Sequence, residues 1–190
     1  MTDKSDKRER IMEIAKKHFM EKGYYKTSIE DIANDLGVAK GTIYLYFQSK
    51  SDLFIEIIEN EVKSIIEKMK SVRDLNLEPE EKISKFIDIL WDLLYDAHGM
   101  MLDQKQFITD KEIFIPFIQR IYPLISEINT ISKQILAEGI YKNKFKNLNI
   151  DVIGNFLMLS LRGYFLRLID PIRYEDKEVI KEILLRGILC

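Results

Sequence analysis

Lys40, Gly41, Thr42, Tyr44 and Tyr46 crowd a cation, a hydroxyl, two phenols and a residue without a side chain into one short stretch. These groups donate hydrogen bonds to phosphate oxygens and base edges, and a glycine lets the backbone approach a partner closely. Ser49-Lys50-Ser51-Asp52 follows, a capping box that starts a helix. The positive end of that helix, with Lys50 beside it, suits a phosphate. Chemistry of bond breaking has no comparable signature. The two histidines, His18 and His98, stand far apart, and no nucleophile–base pair or Gly-rich phosphate loop is present. The one cysteine, Cys190, excludes a disulfide framework and a Cys-rich metal site. The expectation is a binding protein, not an enzyme, with no cofactor and no metal.

Helices must carry these residues. Ile11, Ile14, Ala15, His18 and Phe19 recur at helical spacing and predict an amphipathic helix over 6–22, ended at Gly23. Ser28, with Asp31 three residues on, caps a second helix whose buried stripe is Ile29, Ile32, Ala33 and Leu36. Gly37 supplies the tight turn, and a third helix runs from about Ala39 to Tyr46 with Ile43 packed inward. Two short helices joined at Gly37 form a helix-turn-helix candidate, and Lys40, Gly41, Thr42, Tyr44 and Tyr46 lie off the buried stripe of its second helix.

The run Thr27-Ser28-Ile29-Glu30-Asp31-Ile32-Ala33, then Leu36 to Phe47, then Lys50-Ser51-Asp52-Leu53, resembles the N-terminal domain of the TetR family over roughly residues 8 to 58. The resemblance implies an all-α regulator, usually a dimeric repressor, with a variable C-terminal ligand-binding domain. Carried onto this chain, it implies that Thr27 and Ser28 meet phosphate at the start of the second helix. It places Lys40, Gly41 and Thr42 in the major groove of double-stranded DNA, Tyr44 on a phosphate and Tyr46 near backbone or base edges. Phe47 becomes a core anchor, and Lys50 holds a phosphate. Plainer roles stand beside these: Thr27 as a cap only, and Tyr44 or Tyr46 as packing between helices.

The remaining chain predicts more helices: a long one from about residue 50 to 71, one over 80–97 broken at His98-Gly99, a short one over 100–107, one over 113–140, and two over 151–169 and 176–189. Pro123 should kink or split the fourth of these. The domains expected are a helix-turn-helix head over 1–50 and a ligand-binding and dimerisation domain over 51–190, bridged by the helix at 50–71. Trp91, Tyr95, His98, Phe107, Phe117, Tyr122, Met158 and Arg162 are the candidates for a largely apolar ligand pocket, with a fatty-acid-like or acyl-CoA-like effector as the candidate ligand. Ordinary core packing is the alternative for the aromatic residues, and an ion pair the alternative for Arg162.

The last two helices carry more apolar surface than one body buries easily, which points to a two-fold homodimer. Phe156, Leu157, Tyr164, Leu168, Ile180, Ile183 and Leu184 are its expected contacts. A two-fold dimer puts two recognition helices in successive major grooves about 34–36 Å apart, so the operator should be palindromic.

Composition allows all of this without requiring it. Apolar residues make up 46%, charged residues 32%, and the net charge is −2, so any attraction to DNA must come from a local concentration of cations. The polar N-terminus is no signal peptide and no apolar run is long enough to span a bilayer, so a cytoplasmic protein without membrane contact is expected. A rival reading is a partner-recruiting member of the same fold that uses DNA little or not at all. Intact Lys40, Thr42, Tyr44 and Lys50 speak against it.

Overall fold

The computed structural model describes residues 2–100, 104–165 and 173–189. Leu168 falls outside them, as do the side chains of Arg162 and Tyr164. Among the described residues the chain is all-α, with helices α1 (Thr2–Lys26), α2 (Ile29–Leu36), α3 (Lys40–Tyr44), α4 (Lys50–Asp74), α5 (Pro79–Met100), α6 (Gln104–Thr109), α7 (Lys111–Tyr141), α8 (Ile150–Phe165) and α9 (Asp176–Ile188). None of them is long and apolar enough to cross a membrane.

The chain gathers into two compact units. The first is Met1–Glu61 with Asp96–Tyr122, and the second is Val62–Tyr95 with Pro123–Cys190. The expected division keeps 51–190 as one domain. Residues 96–122 instead cluster with the head, because distant residues meet there. Phe107 packs against Phe54, the Tyr25 hydroxyl donates to Asp110, and Arg120 pairs with Asp52 and Glu59.

In the first unit Ile11, Ala15, Phe19, Ile32, Ala33, Ile43, Phe47 and Phe54 are buried to within a percent of complete. The helical spacing of these residues is what aligns α1, α2 and α3 on one core. α1 carries a non-helical break at Gly23, where φ is 74° and ψ 167°. The Ser28 hydroxyl accepts the Asp31 N–H at 3.0 Å and so starts α2. Gly37, at φ 67° and ψ 33°, ends it in the left-handed conformation and returns its N–H to the carbonyls of Ala33 and Asn34.

In the second unit Ile66, Met69, Phe86, Trp91, Ile135, Leu136 and Leu161 form the core. Lys82 and Glu138 pair across it at 2.8 Å with the lysine nearly fully buried. A Cβ on Gly139 would fall 2.0 Å from the Phe145 ring, so only glycine lets that ring seat. One helix end differs from expectation, and at Pro123 one of two expected outcomes is ruled out. α5 runs on through His98-Gly99 to Met100, since a lone glycine lowers helix stability without ending the hydrogen-bond ladder. α7 continues through Pro123 as one helix, so the proline does not split it.

Candidate nucleic-acid interface

α3 is a single short helix, and one buried residue orients it. Ile43 is fully buried, as is Phe47 just beyond the helix. The residues between and before them therefore turn outward: Lys40, Gly41 and Tyr44 are exposed, and Thr42 and Tyr46 half-buried. A Cβ on Gly41 would meet nothing within 4 Å, so the fold itself makes no demand for glycine there. Lys40 stands 3.9 Å from Glu30 on α2, a loose pair that a stronger anion can displace. Ser28 is exposed while its hydroxyl caps α2. These residues share the surface formed by α3 and the start of α2.

Two expected phosphate contacts are placed differently. Thr27 is buried, and its hydroxyl donates to the carbonyls of His18 and Gly23 at 3.1 and 2.9 Å. Lys50 turns its ammonium inward, donating to the carbonyls of Tyr24 and Thr27 at 3.0 Å each and lying 4.3 Å from the centre of the Tyr24 ring. Burial lowers its pKa from the ordinary lysine value. The cause is local: the break at Gly23 frees carbonyls from the helical ladder, and Thr27 and Lys50 supply the missing donors. In this structure both hold the α1–α2 junction and neither presents its polar atom on the α3 face.

Leu45 is the residue that sequence reasoning missed. It is 79% exposed between Tyr44 and Tyr46, the most exposed large apolar side chain among the described residues of the head. Its place two residues after Ile43 and two before Phe47, both inward-facing, is the signal that could have found it. The rest of the head is braced from beneath. His18, buried on α1, meets Asp35 at 2.8 Å, and Arg8 pairs with Glu56 while lying 4.7 Å from the centre of the Phe47 ring.

A second exposed surface belongs to α8 and α9. Phe156 and Ile183 are 63% and 62% exposed, and Val152, Leu159 and Val179 are exposed beside them. Between the two helices runs an apolar groove of about 510 Å³ whose floor includes the buried Leu157 and Leu184, with Ile180 along its side. Of the expected dimer contacts, Phe156 and Ile183 thus point outward, while Leu157 and Leu184 serve the protomer's own packing.

The expected ligand-lining residues are not brought together within one compact unit. His98, Phe107, Phe117 and Tyr122 belong to the first; Trp91, Tyr95 and Met158 belong to the second. Phe107 is buried, with the Phe117 ring edge-on at 5.1 Å. Trp91 is fully buried, Met158 half-buried, Tyr95 stands edge-on to Tyr174 at 5.2 Å, and Tyr122 is exposed. Among the described residues no cluster of three or more His, Cys, Asp or Glu could hold a metal.

Comparison with known proteins bears on this head and on the whole chain. Residues 11–57 match the family model of bacterial regulatory proteins, tetR family. The fatty acid metabolism regulator protein of Bacillus subtilis is 28% identical over 146 residues, 77% of this chain and 74% of that protein. A crystal structure of a TetR/AcrR-family transcriptional regulator from Thermobifida fusca superposes with a TM-score of 0.70 at 26% identity, covering 96% of this chain and 98% of that one. The fold is also that of the transcriptional regulator FadR from Bacillus subtilis in complex with stearoyl-CoA, with a TM-score of 0.72 at 23% identity over 94% of this chain and 98% of that one.

Proposed function

Starting from a chain that belongs to the tetR family of bacterial regulatory proteins, we propose that it is a homodimeric transcriptional repressor that leaves a palindromic operator when a largely apolar, acyl-bearing small molecule binds its C-terminal domain. The exposed set on α3 carries this reading. Lys40 supplies a charge-assisted bond to phosphate or to a guanine edge, Thr42 and Tyr44 supply hydroxyl donors, and Gly41 lets the helix sit close to the groove floor. Leu45 adds an apolar contact of the kind that meets a thymine methyl. Ser28 and the N-terminus of α2 face a phosphate.

One head makes too few contacts for a single genomic site, so two are needed. The exposed Phe156 and Ile183 on the α8–α9 face supply the area through which two copies associate. The isologous geometry makes the operator a palindrome with half-sites one turn apart.

The effector class rests on similarity to a fatty acid metabolism regulator and on the shared fold with a stearoyl-CoA complex. The chain's body is rich in aromatic and Met side chains, which adapt to an acyl chain. The switch is a population shift: effector favours a dimer whose heads no longer match groove spacing, and α4 is the lever. Such a protein works in the cytoplasm, beside the genome.

The test is selection from a pool of random duplexes at fixed salt, with and without stearoyl-CoA. Enrichment of a palindrome that stearoyl-CoA abolishes is the expected result. A folded dimer that enriches no duplex under either condition refutes the reading.

A further inference from the structure

We propose that Arg120 on α7 is a positioning residue for the DNA-binding helix α3, acting through the carboxylate of Asp52 in the first turn of α4. The inference rests on the DNA-binding reading given above. Its starting point is one guanidinium shared by two acids. Arg120 Nε donates to Glu59 Oε2 at 2.6 Å, and Arg120 Nη1 donates to Asp52 Oδ1 at 3.1 Å. Asp52 and Glu59 are seven residues apart on α4, two turns, and so present their carboxylates on one face. Only a fork of donors spans both acids at once, which is the geometry that separates arginine from lysine.

The second oxygen of Asp52 is also engaged. Asp52 Oδ2 accepts the backbone N–H of Gln48 at 3.0 Å, while the Asp52 N–H donates to the Ser49 hydroxyl at 3.0 Å. Gln48 follows Phe47, whose buried ring and N–H bond to the Ile43 carbonyl fix the exit of α3. One carboxylate therefore carries α7 on one oxygen and the exit from the recognition helix on the other. Two further ties between residues 96–122 and the head reach other places: Tyr25 meets Asp110 at the end of α1, and Phe107 meets Phe54 on α4. Arg120 leads to the α3–α4 turn, through Asp52.

A lone ion pair this exposed would contribute little. Here its effect is orientation: with Arg120 in place the Asp52 carboxylate is engaged on both oxygens at once, and the Gln48 amide is held with it. Without Arg120 the carboxylate is free to leave Gln48, and the exit that sets the angle of Tyr44, Leu45 and Tyr46 to the groove keeps its Phe47 anchor but loses the bond at Gln48.

The probe is the duplex that the wild-type chain enriches from the random pool. Affinity, its salt dependence and hydrogen exchange at the Gln48 amide are measured for the full-length wild type, Arg120→Gln, Arg120→Lys, Asp52→Ala and the control Arg73→Gln. Arg120→Gln and Asp52→Ala should each bind about tenfold more weakly. The slope of log K against log salt should not change, because no phosphate contact is lost. Gln48 exchange should quicken in both, and Arg73→Gln should match wild type. Arg120→Lys, which keeps the charge but not the fork, should fall between, and it remains informative if Arg120→Gln folds poorly.

Removal of Asp52 makes the head more positive, so through-space attraction alone predicts tighter binding by Asp52→Ala. That result overturns the inference, as does unchanged Gln48 exchange in Arg120→Gln. Wild-type enrichment with both variants at wild-type affinity overturns the inference alone. A wild type that enriches no duplex overturns the DNA-binding reading, and the positioning role with it.

Discussion

The α3 face and the α8–α9 face are both uncovered in the single chain, and they are built on opposite principles. The first offers few side chains, mostly polar, each held at an angle by bonds beneath it: Ile43 and Phe47 in the core, Thr27 and Lys50 at the α1–α2 junction, Asp52 at the exit. The second offers area. Phe156, Ile183, Val152, Leu159 and Val179 are exposed along two helices around a groove with an apolar floor, and none of them needs a bonded partner to do its work. Directional recognition requires a scaffold, whereas burial of apolar surface is non-directional and scales with area. The two surfaces should therefore fail differently when altered.

The largest effect should come from the apolar face. Asp at both Phe156 and Ile183 places two charges where burial is expected, and sedimentation should then find a monomer. Because two linked heads bind far more tightly than one, operator affinity should fall at least about a hundredfold with α3 untouched. A double variant that stays dimeric would remove this face from the interface.

The head should show a smaller and more specific pattern. Lys40→Ala should reduce the salt slope by about 0.9 for each phosphate that Lys40 neutralises and weaken binding about tenfold. Lys50→Met should leave the salt slope unchanged and instead lower stability by about 1.5–3 kcal/mol, the scale of a charge-assisted bond such as those to the carbonyls of Tyr24 and Thr27. Denaturant melts and salt titrations of the two variants, run side by side, separate these outcomes. A reduced salt slope in Lys50→Met would restore it as a phosphate contact. Leu45→Ala should cost less, about threefold to tenfold, and the loss should be confined to one base position in each half-site, as selection with that variant would reveal.

The contrast between Lys40 and Lys50 also marks how far the sequence could be read. Local signals were sufficient for the helix-turn-helix: Ser28 as a cap, Gly37 in the left-handed turn, Ile43 as the inward residue of α3. The type of Lys50 was legible but not its direction, because direction depends on carbonyls that become free only when the chain breaks at Gly23. Thr27 turned inward for the same reason. The apolar surplus on α8 and α9 was legible as composition, but the split between outward Phe156 and inward Leu157 needed the packed helix. Arg120 left no trace in the sequence pattern, since its partners on α4 lie more than sixty positions earlier. Gly99 misled in the other direction: it weakens the helix locally, and α5 continues past it, while at Pro123 α7 also continues, which decides only against a split.

The smallest effect under ordinary conditions tests the scaffold itself. Tyr24 is buried beneath Lys50, and its phenol pKa is pushed up from 10.0 to about 12, first by burial and then by the negative charge of Asp110. The folded head thus favours the neutral phenol more than the unfolded chain does. Its contribution to stability is complete below pH 10 and is lost as pH rises from 10 to about 12, because in that window the folded state binds the extra proton. Tyr24→Phe cannot ionise, so its stability should lack this component. The measurement is the difference in denaturation midpoint between wild type and Tyr24→Phe as pH is raised: flat below 10, then moving steadily against the wild type. A difference that stays flat throughout would mean that water reaches the phenol, and that the α1–α2 junction is looser than its bonds to Lys50 and Thr27 imply. In that case the α3 face would resemble the apolar face after all, with side chains presented but not held, and the tenfold penalties expected at Arg120 and Asp52 should shrink with it.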